Sequence, residues 1–165
     1  MLRMKALCAV VPMVIAASAM AQPLNKGDTV AGASVGFGWG GVTFGGAFEM
    51  GLIDDIAPNI SLSAGVMGTY TNYTTGWNSW NVSHTFIGGM ANLNYHTPEL
   101  GALQPYGGVI LGYNIINVSG AYGGSLGSGA TGGAQVGARY YFTDTLALNA
   151  RLGYPVVSIG VDYRF

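Results

Sequence analysis

The sequence predicts an all-β fold, an eight-stranded antiparallel up-and-down transmembrane β-barrel, and three observations lead there. Apolar residues make up 50% of the 165 residues and charged ones only 8%, against about 25% charged in soluble domains. Beyond residue 21 no run approaches the ~20 apolar residues that a membrane helix needs. Instead, apolar residues alternate with small or polar ones through eight segments of about ten residues, the period and length of a strand crossing a bilayer. A membrane-like composition without a membrane helix leaves the closed barrel, the other structure that satisfies every backbone N–H and C=O in lipid.

Residues 1–21 read as a cleaved signal peptide. Arg3 and Lys5 precede an apolar segment, 6–17, and Ala19-Met20-Ala21 places small residues at the two positions a signal peptidase reads. Cleavage there leaves 22–165 as a single barrel domain. It removes Cys8, so the mature chain is expected to have no thiol for a disulfide or a metal. It also removes two of the six basic residues, leaving four against seven acidic ones.

The strands follow in order. The first is expected at 29–38, with Ala31, Ala33, Val35 and Phe37 on one face. A Gly40-Gly41 turn leads into the second, 42–53, where Val42, Phe44, Phe48, Met50 and Leu52 oppose Thr43, Gly45, Ala47 and Glu49. Residues 54–59 hold two acids, a proline and an asparagine, which is turn chemistry. The third strand, 60–73, sets Ile60, Leu62, Ala64, Val66 and Tyr70 against Ser61, Ser63, Met67, Thr69 and Thr71, and a polar loop, 74–82, follows. The fourth, 83–95, sets Ile87, Ala91, Leu93 and Tyr95 against Gly88, Asn92 and Asn94. After a connection at 97–104, the fifth, 105–118, sets Val109, Leu111, Tyr113 and Ile115 against Gly108, Gly112 and Asn114, with Ile110 and Ile116 blurring the pattern.

A Gly- and Ala-rich loop, 119–129, separates this from the sixth strand, 130–142, whose Gln135, Gly137, Arg139 and Tyr141 alternate with Ala134, Val136, Ala138, Tyr140 and Phe142. Thr143-Asp144 turns into the seventh, 145–154, with Asn149, Arg151 and Gly153 opposite Leu146, Leu148, Ala150, Leu152 and Tyr154. Pro155 interrupts pairing before the last strand, as proline does unless it sits at a strand end. That strand, 157–165, has Val157, Ile159, Val161, Tyr163 and Phe165 on one parity and Ser158, Gly160, Asp162 and Arg164 on the other.

In a soluble barrel the apolar face would be the core, whereas in lipid it is the outside. The opposite face carries too little charge to solvate a soluble protein, and its glycines suit the narrow lumen of eight strands. Five charges fall on that lumen face: Glu49, Arg139, Arg151, Asp162 and Arg164. An unpaired buried charge costs several kcal/mol, so they are expected to pair. Strands two and six face each other across an up-and-down barrel, and both residues precede a tight turn by a similar depth, so Glu49 is expected opposite Arg139. The network is read as a packed polar core that fixes register, with an electrostatic gate as the alternative. Trp39, Trp77 and Trp80 are expected at one rim, and Tyr95, Phe142 and Phe165 at the other, as two aromatic belts.

Enzyme-like patterns carry no chemistry here. Gly36–Gly41 matches G-x-G-x-x-G, but no helix follows to hold a pyrophosphate. His84 and His96 lie near opposite ends of one strand, too far apart to share a metal. No basic cluster suits nucleic acid. Neither a cofactor nor a catalytic or metal site is expected.

The closing strand, V-S-I-G-V-D-Y-R-F at 157–165, resembles the C-terminal signature of bacterial outer-membrane β-barrel proteins, with Val161, Tyr163 and Phe165 as its apolar positions. G-G-V-I-L-G-Y-N at 107–114 and A-R-Y-Y-F-T-D-T-L-A-L-N-A-R-L-G-Y at 138–154 are similar to repeats of the small eight-stranded outer-membrane β-barrel family. That family includes the transmembrane domain of the outer-membrane protein A type and related porin-like proteins. The resemblance implies a place in the bacterial outer membrane and a closing strand read by the outer-membrane assembly machinery. It implies contact with outer-membrane lipid and lipopolysaccharide, and the chain is expected to be monomeric. The expected function is non-enzymatic, structural or surface-interacting, with a polar, largely filled lumen. A narrow porin-like channel for small solutes is the alternative. A lipid-modifying enzyme is a third, weakened because the His/Ser pair of the lipid A deacylases and the catalytic residues of the lipid A palmitoyltransferases have no counterpart.

Overall fold

A computed structural model of the chain describes residues 24–75, 80–119, 127–154 and 156–165. The expected signal peptide, Trp77 and Pro155 lie outside them. Eight strands follow in chain order: β1 Thr29–Gly38, β2 Gly41–Ala57, β3 Ile60–Thr75, β4 Trp80–Tyr95, β5 Leu103–Ser119, β6 Gly129–Tyr141, β7 Leu146–Gly153 and β8 Val156–Arg164. Each pairs antiparallel with the next, and β8 returns to β1 from Val30↔Arg164 to Gly38↔Val156, which closes the barrel. Closure leaves no sheet edge around the wall. A single 3₁₀ turn, Pro98–Leu100, interrupts the strand order, and none of the described residues is α-helical.

The period-2 patterning sends the apolar faces outward on every strand. Phe37, Leu111 and Phe165 are about 70% exposed (71%, 71% and 69%), while Glu49, Gln135 and Arg139 are no more than 2% exposed. The barrel is therefore inside-out relative to a soluble protein. The end that carries Thr29 and Arg164 is called the base here, and the opposite end, at the β1–β2 turn, the top.

Three of the differences from the expected strand ends have a local reason. The β1–β2 turn is Trp39-Gly40, one residue earlier than the expected Gly40-Gly41, and both residues have positive φ (53° and 90°). This is the type I′ geometry whose twist matches that of the flanking strands. Gly41 pairs with Gly38 inside the ladder. At the base, β2 continues through 54–57 instead of turning at 54. Its register against β3 shifts between Ile53↔Leu62 and Ala57↔Ile60. A bulge there accommodates the surplus residues, with Asp55 at φ 46°, and the turn is Pro58-Asn59. At the top, β3 and β4 pair as far as Thr75↔Trp80, so Trp80 belongs to a strand and not to the polar loop.

The outer wall is not smooth. Ala33, Gly46 and Gly68 are cross-strand neighbours on the outward face of β1, β2 and β3. Two shallow apolar hollows adjoin them. One of about 430 Å³ lies among Ala33, Leu148, Ile159 and Val161, and one of about 340 Å³ lies among Gly46, Phe48, Val66 and Ile87.

The closed barrel is expected to resist detergent unfolding until boiled. Boiled and unboiled samples are therefore expected to migrate differently on a gel, with a β-rich circular dichroism spectrum in detergent. A helical spectrum would contradict the fold.

Candidate functional site: a charged hub inside the barrel

The inward faces converge on Arg139, from β6, which is 1% exposed. Its Nη2 donates to Glu49 Oε2 from β2 across the lumen, in a fully buried ion pair. Its Nε donates to Asp162 Oδ2 from β8 at 2.8 Å, and its Nη1 donates to Asn94 Oδ1 from β4 at 3.1 Å. The Tyr106 ring of β5 lies under the guanidinium, 4.6 Å from its centre, which adds a cation–π contact. Two carboxylates thus share one guanidinium, and neutral donors satisfy what remains.

Those donors come from neighbouring strands. Glu49 Oε1 accepts the Ser63 hydroxyl and Asn92 Nδ2, the latter at 3.1 Å. Asp162 Oδ2 also accepts Asn149 Nδ2 at 2.8 Å, and Tyr106 Oη donates to Asn149 Oδ1 at 2.8 Å. Gln135 Nε2 donates to Asn92 Oδ1 at 2.6 Å, and Asn94 Nδ2 donates to Ser63 Oγ at 2.8 Å. Every strand except β1 places a side chain in this network. β1 contributes a gap instead, since a Cβ on Gly32 would lie 2.1 Å from Asp162 Oδ1.

Of the five lumen charges expected to pair, the structure joins three in the hub and separates two. Arg164 lies at the base, where its Nη2 donates to Asp28 Oδ2 at 2.6 Å, a partner that precedes the first expected strand. Arg151 makes no ion pair within 4.0 Å among the described residues. Its Nε donates to Tyr106 Oη at 3.2 Å and its stem crosses the lumen toward Met67. Ser63, Asn92, Asn94, Gln135 and Asn149 were legible as lumen-facing by parity. Their role as the hub's neutral partners has no sequence signal beyond that parity.

The lumen is also less uniformly polar than expected. Met67, Phe86, Met90 and Ile110 form a buried apolar cluster above the hub. Phe86 fits there because two inward positions beside it are glycine. A Cβ on Gly88 or Gly112 would lie 2.5 or 2.6 Å from its Cζ. Among the described residues, two cavities between the inward side chains are each of about 10 Å³, room for about one water molecule.

The expected belts are placed as follows. Tyr95 and Phe165 face outward near the base, at 40% and 69% exposure, and Phe142 packs edge-on against Tyr140. Trp39 is at the top but does not stand in an outward-facing belt. Its ring stacks on buried His84 at 4.8 Å and 8°, and Tyr73 lies parallel to His84 further out, at 5.9 Å and 14°. The left-handed turn carries Trp39 inward over the mouth.

No protein-family model matches the chain, and no curated protein matches it. Solved structures do. The N-terminal β-barrel domain of Pseudomonas aeruginosa OprF is 19% identical, with TM-score 0.63, over 85% of this chain and 98% of that one. Neisserial surface protein A is 21% identical, with TM-score 0.55, over 84% and 95%. The outer-membrane enzyme PagL is 15% identical, with TM-score 0.50, over 82% and 98%. The fold is that of small eight-stranded outer-membrane barrels. It hosts an enzyme as well as barrels not described as enzymes, so activity has to be argued from this chain's own side chains.

The hub's geometry ranks its variants. Arg139→Gln leaves two carboxylates without their cation and is expected to cost ~3–5 kcal/mol. Glu49→Gln leaves Arg139 paired with Asp162 and should cost less. A double-mutant cycle read by urea unfolding in lipid vesicles is expected to show coupling between the two. Additive losses would mean that the contact contributes nothing.

Proposed function

We propose that the chain is a non-enzymatic barrel of the bacterial outer membrane, structural or surface-interacting, with a lumen that does not conduct. The observation that carries this reading is the filled interior. A side-chain network spans the barrel, an apolar cluster lies above it, and two cavities among the described residues beside them are each of about 10 Å³. A solute pore needs a continuous aqueous path, and an eight-stranded barrel is just wide enough to be filled by its own side chains.

The membrane setting is supported by the outward apolar wall and by the outer-membrane barrels that share the fold. In that setting the base faces the periplasm and the top faces outward. Outer-membrane lipid and lipopolysaccharide contact the wall. Val161, Tyr163 and Phe165 project outward from β8 and its end (48%, 48% and 69% exposed), where the assembly machinery would read them. The barrel works as a monomer, exported by a signal peptide cleaved after Ala21. Against an enzyme, His84 is stacked by the Trp39 and Tyr73 rings, and among the described residues its hydrogen-bonding neighbour is Asn114, not a carboxylate or a nucleophile.

In planar bilayers the purified barrel is expected to give no unitary conductance steps. Reproducible steps would favour the narrow porin. Deleting Phe165 is expected to slow insertion by the assembly machinery, and insertion at the wild-type rate would remove that role.

A further inference from the structure

The chain enters β1 through residues 24–28, and this lead folds back into the barrel. Leu24 is fully buried, at 0% exposure. A turn at Lys26-Gly27, with Gly27 at φ 92°, reverses the chain, and the Asp28 N–H donates to Asn25 O at 3.0 Å. The segment then continues the β1–β2 ladder downward. The Gly27 N–H donates to Gly51 O at 3.0 Å, and the Gly51 N–H donates to Asp28 O at 2.9 Å.

Gly51 explains where the lead lies. It is buried, two residues from Glu49 toward the base, on the inward parity of β2. A Cβ placed on it would fall 2.1 Å from Asn25 O and 3.1 Å from Leu24 O. The backbone of Leu24 and Asn25 thus occupies the lumen volume that a side chain at position 51 would fill. Asp28 fastens this arrangement from both sides: Oδ2 accepts the Asn25 N–H at 2.9 Å and Arg164 Nη2 at 2.6 Å. A further tie runs to the β2 bulge, where the Lys26 N–H donates to Asp54 Oδ1 at 2.6 Å.

We infer that residues 24–28 are a built-in stopper that closes the base of the lumen, seated against Gly51 and latched to β8 by the Asp28–Arg164 ion pair. The stopper lies below the Glu49–Arg139–Asp162 hub. It keeps bulk water from reaching those charges from the base, as the Met67–Phe86–Met90–Ile110 cluster does from the top. It does not depend on the proposed function, because it is a property of the folded chain in any membrane mimic.

A single cysteine reports the position of the lead. With Cys8 replaced by Ser, Leu24→Cys in the folded barrel is expected to react with a charged maleimide at least about tenfold more slowly than the exposed Lys26→Cys, and at an equal rate once both are unfolded. Equal rates in the folded barrels would overturn the stopper. Adding Gly51→Leu, or Arg164→Gln, is expected to raise the Leu24→Cys rate toward that of Lys26→Cys, with heat-modifiable migration as the folding check. Continued protection of Leu24→Cys in folded Gly51→Leu would also overturn it. The unmodified chain gives a second measurement, hydrogen exchange at the Gly27 and Asp28 amides. Protection comparable to the first residues of β1 is expected, and exchange at open-loop rates would refute the inference.

Discussion

The rest of the interior depends on the cost of holding Arg139 away from bulk water. A guanidinium in that position needs its charge balanced and its N–H groups occupied, or it destabilises the barrel by several kcal/mol. Glu49 and Asp162 supply the charge, and Asn94 and the Tyr106 ring fill the remaining sides. Each partner has to sit on the inward parity of its own strand at one depth. The same requirement fixes register, because a one-residue slip of β2 or β8 would turn a carboxylate into the apolar exterior. A single cation thereby constrains strands that are far apart in sequence.

Width sets the second constraint. Eight strands leave a lumen that side chains just fill, and several inward residues fit because glycines face them. Asp162 lies over Gly32, and Phe86 over Gly88 and Gly112. Inward glycine here acts as a spacer for a neighbour's side chain, and its backbone freedom matters only at turns such as Trp39-Gly40. The apolar cluster above the hub follows the same rule. Met67 and Met90 are unbranched and can fill irregular space between Phe86 and Ile110.

Much of this was legible in the sequence because strand periodicity is a strong local signal. Alternation assigned inward and outward faces along β1 to β8, and counting back from two turns placed Glu49 and Arg139 at one level. What escaped was information carried by neighbours distant in sequence. Nothing local in the residues before β1 tells that Asp28 meets Arg164. The acidic run at 54–55 looked like a turn because a bulge and a turn use the same residues, and only pairing with β3 distinguishes them. Trp39 looked like a belt residue because tryptophan commonly sits at a membrane rim. Its position as the first residue of a left-handed two-residue turn aims the ring over His84 instead.

In the proposed membrane setting, the hollows beside Ala33, Gly46 and Gly68 bear on the surrounding lipid. The protein interior is packed by fixed side chains, but these recesses on the outer wall, of about 430 and 340 Å³, can only be filled by whatever lies against it. Disordered acyl chains can bend into such recesses, whereas stiff, aligned chains would bridge them and leave voids. Part of the barrel's packing is thus completed by its solvent, and the fit of the wall depends on how fluid that solvent is.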